Sequence, residues 1–278
     1  MIHISVMTSF GWWNDGILDT PALFDRLAAH GADGVEVCDA DFYGNPDFAR
    51  NFSAWLAAAD LRLIAVDVIC NLVHQGPQDR QRARGELRRG LDICVANEAA
   101  IAHCAGSQLI AGISPTDGRK MIADLLAEVY EEYTLKFGLT LAIENYGLAP
   151  DLICRKADCL EVLARTDNRV KMVFDTGNFF AVNERAEDNL DDCYDQIAMC
   201  HFKDWTPASR PPTDTAGAFF ENSRLGEGII ANAAIANRLL ERGYDGWVSL
   251  ESCMHSGETV DQTLKRELGL LRRWLNVR

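Results

Sequence analysis

The sequence predicts an α/β protein, a (β/α)8 TIM barrel formed by a single domain over residues 1–278. Three observations support this prediction. Short apolar runs alternate with longer segments whose apolar residues recur every three or four positions. The runs are apolar almost throughout, as parallel strands are when both faces of their sheet are buried. The length of 278 residues is also close to the roughly 250 residues that such a barrel commonly uses.

Eight apolar runs are the predicted strands. HISVMT, GVEVC and LRLIAVDVI come first, and each is short and rich in Val or Ile, which favour strands. AIAHC, LTLAIE and VKMVFD follow, and IAMCHFK and WVSLES complete the series. The predicted strands cover residues 3–8, 34–38, 61–69, 100–104, 139–144, 170–175, 197–203 and 247–252.

The segments that follow these runs are the predicted helices. Their apolar residues lie at helical spacing, and most segments end in Gly or Asn just before the next strand, a usual helix stop signal. A doubly wound open sheet is the alternative, but no G-x-G-x-x-G motif follows the first strand. The predicted helices cover residues 21–31, 47–61, 82–98, 119–138, 157–166, 189–196, 231–243 and 259–275.

Composition and charge restrict the classes of function. The formal charge of −14 gives an acidic surface that repels a phosphate backbone, so nucleic acid is not an expected partner. No apolar run approaches the roughly 20 residues of a membrane span, and the first residues lack the pattern of a signal peptide. The nine cysteines include no C-x-x-C pair and mostly lie inside apolar runs, as reduced thiols do. We therefore expect a cytoplasmic protein without a membrane partner.

Four consecutive predicted strands end in a side chain that can bind a metal ion. In a (β/α)8 barrel the carboxyl ends of the strands form the active-site mouth, so these side chains should converge there. Taken singly, each could cap a helix or pair with an arginine, but three carboxylates brought together repel one another unless a cation lies among them. The sequence therefore predicts one divalent metal ion, bound by Glu144, Asp175, His201 and Glu251.

The predicted ligand set narrows the identity of the metal. Three carboxylates and one imidazole suit a hard or borderline ion such as Mn²⁺, Mg²⁺ or Co²⁺, whereas structural zinc prefers more nitrogen and sulfur. We expect the bound ion to be Mn²⁺, with Mg²⁺, Co²⁺ and Zn²⁺ as alternatives.

The motifs AIENYG, FDTGN, HFKD, LGEG and GYDGWVSLE occur in this order. In this succession the sequence resembles the xylose-isomerase-like TIM barrels, a group of sugar isomerases and epimerases that includes tagatose and psicose 3-epimerases, inosose-processing enzymes and hydroxypyruvate isomerase. The resemblance covers most of the chain and implies the same four metal ligands. It also implies a metal-dependent isomerase or epimerase of a small sugar, keto sugar or polyol, which transfers a proton next to a metal-bound carbonyl. A homodimer or homotetramer closed over the active-site face is a further implication.

In the epimerases of that family, two glutamates that match Glu144 and Glu251 exchange a proton with the substrate from opposite faces. The resemblance thus implies that both are catalytic. Two departures weaken the hypothesis of a free-ketose 3-epimerase. Asn178 stands where those enzymes tend to carry a histidine, and the arginine expected a few residues after the histidine ligand is not evident. Neither departure affects the predicted metal site.

Further candidate residues surround the predicted site. Lys203 lies two positions after His201, so on a strand both point the same way, and we predict that Lys203 is a catalytic acid or a donor to substrate. An ion pair with a neighbouring carboxylate is the alternative. The predicted substrate contacts are Glu36 and His103 at strand ends, Asn178 after the FDTG turn, and Trp13 and Trp205 in loops.

The stretch 205–228 is long and contains three prolines, which is typical of a lid or a binding loop. Its aromatic residues, like Trp12 and Trp13 in the first loop, could stack on a sugar, pack against a second subunit or plug the edge of the barrel. Arg224 lies beside flexible glycines and could bind phosphate, but Glu227 and the acidic composition favour an unphosphorylated substrate.

Three other functions stay open. A lyase or dehydratase acting on an inosose or 3-keto sugar would use the same site for β-elimination, with Lys203 as the acid for the leaving group. An endonuclease-IV-like nuclease needs three zinc ions, more histidines and a basic face, and six histidines in an acidic chain argue against it. A non-catalytic binding protein would be indicated by missing metal ligands, and none is missing.

Overall fold

Eight parallel strands close into a barrel in the computed structural model of the protein, which describes residues 1–8, 13, 19–208 and 220–277. Barrel strands that follow one another along the chain are hydrogen-bonded neighbours, and the last of them closes the barrel by pairing with the first. The predicted TIM barrel is confirmed. Its strands are β1 (His3–Met7), β2 (Gly34–Cys38), β3 (Arg62–Ile69), β4 (Ile101–Ala105), β5 (Thr140–Glu144), β6 (Lys171–Asp175), β7 (Ile197–Phe202) and β10 (Trp247–Leu250).

Helices cover the outside of the barrel between the strands, as predicted. Several begin at side chains that satisfy free backbone N–H groups: Asp19 accepts from Ala22 N before α1, and Ser114 accepts from Asp117 N before α5. The helices are α1 (Thr20–Ala29), α2 (Asp39–Gly44), α3 (Pro46–Ala59), α4 (Gly76–Ala96), α5 (Pro115–Tyr130), α6 (Lys156–Arg165), α7 (Ala186–Cys193), α8 (Asn232–Glu241) and α9 (Val260–Trp274).

The structure adds details that the periodicity does not predict. α2 has only six residues, too few for a periodic pattern to stand out. α5 continues through a π-helical turn, Glu131–Leu135, so the predicted helix over 119–138 is two consecutive elements. Two short strands after β7, β8 (Trp205–Pro207) and β9 (Phe220–Asn222), pair in antiparallel fashion within the region predicted as a lid.

The barrel interior has its own small apolar cluster, separate from the main one between strands and helices. It consists of Ile64, Ala65, Ile101, Ala142, Val173 and Met199, all at most 4% exposed. All nine cysteines are free thiols, and only Cys253 is more than slightly exposed. No helix within the described ranges is long and apolar enough to cross a membrane.

Candidate metal centre

Four side chains from consecutive barrel strands meet at the carboxyl ends of β5, β6, β7 and β10. One potential ligand atom from each of Glu144, Asp175, His201 and Glu251 lies within 4.8 Å of the others. His201 Nδ1 is 3.2 Å from Glu144 Oε1, 3.2 Å from Glu251 Oε2 and 3.8 Å from Asp175 Oδ2. The structure therefore brings together the four residues that the strand-end pattern singles out.

Backbone register and one amide side chain position the group. Asp175 lies opposite His201 in the β6–β7 ladder, so their side chains start from the same level of the barrel. Asn145, the residue after Glu144, joins the ends of β5 and β6. Its Nδ2 donates to Asp175 O at 3.0 Å, and its Oδ1 accepts from Asp175 N at 2.9 Å. The polar residue after the apolar strand thus fixes the relative height of two carboxylates.

The two oxygens of Asp175 have different surroundings. Oδ1 accepts from Gly177 N at 2.8 Å and from Asn178 N at 2.7 Å. Oδ2 is buried in the cluster and makes no hydrogen bond within the described part of the chain, although Lys203 Nζ lies 3.0 Å away. Burial raises the pKa of Asp175 well above its usual value; the Lys203 ammonium opposes this, and the Glu251 and Glu144 carboxylates add to it. A cation at this position would remove that cost.

Lys203 is the cation that already lies in the cluster. It is 7% exposed, and its Nζ is 2.7 Å from Glu251 Oε1. Burial alone would lower the pKa of Lys203, but Asp175 and Glu251 raise it above its usual value, so the ammonium stays charged. Burial alone would raise the pKa of Glu251, yet Lys203 and His201 lower it. Gly177 makes room for the lysine stem, since a Cβ there would lie 2.7 Å from Lys203 Cγ.

The donor set fits a divalent metal ion. Three carboxylates face one ammonium and one imidazole, and the orphaned Asp175 Oδ2 points into the cluster. Glu144, Asp175 and Glu251 would supply oxygen ligands, and His201 would supply Nδ1. A set rich in carboxylate oxygen suits Mn²⁺ or Mg²⁺, and the imidazole also admits Co²⁺ or Zn²⁺.

A second polar layer lies beneath these ligands. Glu36 on β2 is fully buried, and its carboxylate is 3.0 Å from His201 Nε2, 3.3 Å from His103 Nδ1 and 2.7 Å from Ser249 Oγ. His103 Nδ1 is also 2.9 Å from Asp67 Oδ1. Glu36, His103 and His201 form a second group of potential metal ligands, but hydrogen-bond donors already occupy the Glu36 oxygens.

The charges in this layer compensate one another. Burial alone would raise the pKa of Glu36, yet His201 and His103 hold it well below its usual value. Burial alone would lower the pKa of His103, but Asp67 and Glu36 raise it to about 10. Burial raises the pKa of Asp67 well above its usual value, and the Glu36 carboxylate adds to this. Within the described residues, Asp67 Oδ2 and His103 Nε2 make no hydrogen bond, so the contacts with Glu36 are the ones that hold this layer together.

Comparison with known proteins decides the family. The sequence profile of the family described as xylose isomerase-like TIM barrel matches residues 24–274. The chain belongs to this family. No curated protein matches the sequence.

Several solved structures of this fold are similar to the chain. The 3-keto-D-glucoside 4-epimerase YcjR from E. coli has a TM-score of 0.74 at 16% identity, with 98% of this chain and 100% of that chain covered. The probable 3-DHS dehydratase AsbF from Bacillus anthracis has a TM-score of 0.74 at 15% identity, covering 97% and 98%. An IolI protein with a bound zinc atom has a TM-score of 0.79 at 14% identity, covering 99% and 98%. At such identities the likeness shows the fold that the family shares.

The remaining predicted substrate contacts of this xylose isomerase-like barrel lie in different places. Trp13 is 1% exposed, packs in the main apolar cluster and donates from Nε1 to Met7 O at 2.8 Å. Asn178 is 5% exposed and lies behind Asp175, to which its backbone donates. Glu36 and His103 lie below the ligands rather than at the open mouth. Of these residues, none belongs to the group of four, and their roles as substrate contacts stay predictions.

Trp205 is the predicted contact that lies above the cluster. Its ring stacks on Phe220 with centroids 5.3 Å apart, and Lys203 Nζ lies 5.4 Å from its centroid. The β8–β9 pair thus places the stacked rings of Trp205 and Phe220 beside the buried ammonium of Lys203. Arg224, the candidate phosphate group, donates from Nε to Glu258 at 2.8 Å. Trp12 of the first loop, and Arg210 and Phe219 of the predicted lid over 205–228, lie outside the described residues.

Sequence reasoning missed several residues of this family member's site. Asp67 and Ser249 complete the lower layer, and the lone acid in the apolar run LIAVDVI was the available signal for Asp67. Tyr146 lies two positions after Glu144 and is half-buried. Burial raises the pKa of Tyr146 to about 12, and the nearby Glu144 carboxylate adds to this. Its place in the motif AIENYG, two residues beyond the end of β5, was the available signal.

Proposed function

We propose that the protein is a divalent-metal-dependent isomerase or epimerase that acts on a small sugar, keto sugar or polyol. One observation supports this above all: Glu144, Asp175, His201 and Glu251 converge to within 4.8 Å at the mouth of the barrel. The chemistry supplied by a bound divalent metal is polarisation of a substrate carbonyl, which acidifies the C–H bond beside it. A 3-keto-D-glucoside 4-epimerase has the same fold, in keeping with this function.

Glu144 and Glu251 are the proposed proton-transfer groups. Both are carboxylates at the barrel mouth, and each has one oxygen 3.2 Å from His201 Nδ1. One would remove the proton from the substrate carbon, and the other would return a proton to it or to its neighbour. Lys203 holds Glu251 Oε1 at 2.7 Å and so orients that carboxylate. Its charged ammonium can also donate to an oxygen of the substrate.

The charges around the cluster favour an uncharged substrate. Lys203 already pairs with Glu251 and Asp175, and Arg224 pairs with Glu258. Within the described ranges, these pairings leave neither cation free to bind a phosphate or carboxylate group. Aromatic rings at Trp205 and Phe220 could cover the apolar face of a sugar next to Lys203. We therefore propose an unphosphorylated keto sugar or inosose as the substrate class.

β-Elimination is a second candidate reaction, and the position of Lys203 favours it. The ammonium lies beside Glu251, so a base that removes a proton and an acid that protonates a leaving group would be adjacent. A probable dehydratase shares the fold. Proton abstraction next to the carbonyl is common to both reactions, and only the fate of the β-substituent differs.

One experiment tests the proposal and separates the two reactions. The Mn²⁺-loaded protein is incubated in heavy water with inososes, 3-keto-glucosides and free ketoses, and products are followed by mass spectrometry. Deuterium incorporation at unchanged composition identifies an isomerase or epimerase, and loss of water or of an alcohol identifies a lyase. Glu251→Gln should slow exchange by about 10²–10⁴-fold. Glu241→Gln, on the exposed face of α8, is the matched control and should exchange like the wild type. Equal rates in the wild type and Glu251→Gln would overturn the proposal.

A further inference from the structure

We propose that Glu36 is a positioning residue that holds His201 with its proton on Nε2, so that Nδ1 presents a lone pair to the metal. The inference rests on the metal-dependent function proposed above and assigns a role to a residue that the sequence suggests as a substrate contact. Glu36 is fully buried on β2, below the ligand cluster. It can therefore act on the reaction only through the groups it contacts.

The two ring nitrogens of His201 face different groups. Nδ1 faces the oxygens of Glu144, Asp175 and Glu251 at 3.2–3.8 Å, and Nε2 faces Glu36 at 3.0 Å. A neutral imidazole carries one N–H donor and one lone pair, and a carboxylate is an acceptor only. The hydrogen bond to Glu36 therefore requires the proton on Nε2. With the proton fixed on Nε2, Nδ1 is the nitrogen whose lone pair would bind a metal ion among the three carboxylates, in place of the contacts that it makes with Glu144 and Glu251.

The other contacts of Glu36 keep it an acceptor. Ser249 Oγ donates to its Oε2 at 2.7 Å, and His103 Nδ1 lies 3.3 Å from its Oε1. Asp67, at 2.9 Å from His103 Nδ1, holds that ring in place. Two donors, Ser249 Oγ and His201 Nε2, and a third that His103 Nδ1 shares with Asp67, thus converge on two carboxylate oxygens in a site without exposure to solvent. A carboxylate satisfies all three, whereas an amide of the same shape would direct N–H groups at one of them.

The position of Glu36 in the barrel explains why it can reach His201. β1 and β10 lie between β2 and β7 in the closed sheet, so the hydrogen bond crosses the barrel interior rather than linking neighbouring strands. It therefore sets the ring plane of His201 independently of the β6–β7 ladder. A carboxylate that accepts from the distal nitrogen of a ligating histidine fixes the tautomer and raises ligand basicity, and its loss typically costs 10–100-fold in metal affinity.

The first test compares the affinity for Co²⁺ of the wild type and Glu36→Gln, measured by competition with a chelator. We expect the affinity of Glu36→Gln to be about 10–100-fold lower and the visible absorption of bound Co²⁺ to change, because the ring orientation is no longer fixed. Ser249→Ala removes one donor to the same carboxylate without touching His201 and should lower the affinity less than about threefold. Wild-type affinity and an unchanged spectrum in Glu36→Gln would overturn the role of Glu36.

The second test needs no change at Glu36 and so does not depend on the folding of a variant. In ¹⁵N-labelled protein loaded with Zn²⁺, the histidine signals that disappear in His201→Gln identify His201. We expect its proton on Nε2 and a metal-bound Nδ1. A proton on Nδ1 would refute the positioning role while leaving the metal site itself intact. Failure of the wild type to bind Co²⁺ or Zn²⁺ would instead overturn the proposed function and this inference with it.

Discussion

On five strands of the barrel, an apolar residue and a charged residue two positions later are both buried in the same interior. The apolar layer, nearer the amino ends, contains Ala65, Ile101, Ala142, Val173 and Met199. The charged layer, nearer the mouth, contains Asp67, His103, Glu144, Asp175 and His201, all at most 5% exposed. The spacing of two places each pair on one face of its strand. The two layers are thus buried to a similar extent, but one consists of apolar side chains and the other of ionisable side chains.

The difference shows how one set of strands can serve stability and chemistry. Removing apolar side chains from water stabilises the fold, whereas removing carboxylates from water costs free energy unless each is paired. The lower charges, around Glu36, are compensated by His103, His201 and Ser249. The three upper carboxylates share Lys203 and one nitrogen of His201, and Asp175 Oδ2 makes no hydrogen bond within the described residues although Lys203 Nζ is near it. The upper carboxylates are therefore where a metal ion gains most, and substitutions in the two layers should act in opposite ways.

Of the substitutions considered, Asp175→Asn in the charged layer should change the affinity for a metal ion most. We expect the affinity for Mn²⁺ to fall at least about 1,000-fold, roughly 4 kcal/mol, because a charged ligand is lost. The metal-free variant should be at least as stable as the metal-free wild type. The amide oxygen can still accept from Gly177 N and Asn178 N, and a buried carboxylate of raised pKa is gone. Calorimetry of metal binding and urea unfolding of both proteins measure the two changes. A metal-free variant less stable by several kcal/mol would contradict the comparison.

Met199→Ala in the apolar layer should have the opposite effect. Met199 is fully buried two positions before His201, and it lies opposite Val173 in the β6–β7 ladder. Truncation should cost about 2–5 kcal/mol through lost burial and a cavity. Binding of one Mn²⁺ per chain should persist, since no ligand is removed. Urea unfolding and elemental analysis check both outcomes. Loss of the metal at unchanged stability would contradict the assignment of stability to the apolar layer and of metal binding to the charged layer.

The barrel and the group of four could be predicted because both follow from local patterns. Each strand is an apolar run, and four consecutive strands carry a carboxylate or a histidine at the carboxyl end, so the pattern indicates which side chains reach the mouth once the strands are parallel. Glu144, Asp175, His201 and Glu251 do meet there, while their role as ligands stays a prediction. The same pattern placed Lys203 next to His201 on the same face, and Lys203 lies in the cluster.

The contacts of Glu36 with His103, His201 and Ser249 could not be predicted, because they depend on how the barrel closes. Glu36 meets His201 across 165 positions of sequence and Ser249 across 213. Strand register and tilt decide such meetings, and neither is visible in one strand. Trp13 gives the same lesson for the first loop. An aromatic residue in a loop suggests a binding surface, but its indole N–H satisfies Met7 O and the ring packs in the core.

The smallest effect on stability should come from a charge outside the barrel, because solvent screens its ion pairs and does not screen those of the buried carboxylates. Glu258 precedes α9 and pairs with Arg266 and Arg224, and Thr263 Oγ1 donates to it at 2.8 Å. Arg266 above all lowers the pKa of Glu258 to about 2. Because the folded-state pKa lies below the unfolded value of about 4.3, the carboxylate stabilises the fold above that pH and ceases to do so as the pH falls through about 2.

Glu258→Gln should therefore lower the melting temperature only slightly at pH 6. Partly exposed pairs are screened by solvent, so less than about 1 kcal/mol is expected, or roughly 2 °C for a chain of this size. The difference between the wild type and the variant should shrink below about pH 4, as the wild-type carboxylate takes up a proton. Melting temperatures of both proteins at several pH values, with and without 1 M salt, measure it. A difference that is independent of pH would mean that the side chain stabilises by packing rather than by charge, and the contrast with the buried carboxylates would lose its electrostatic basis.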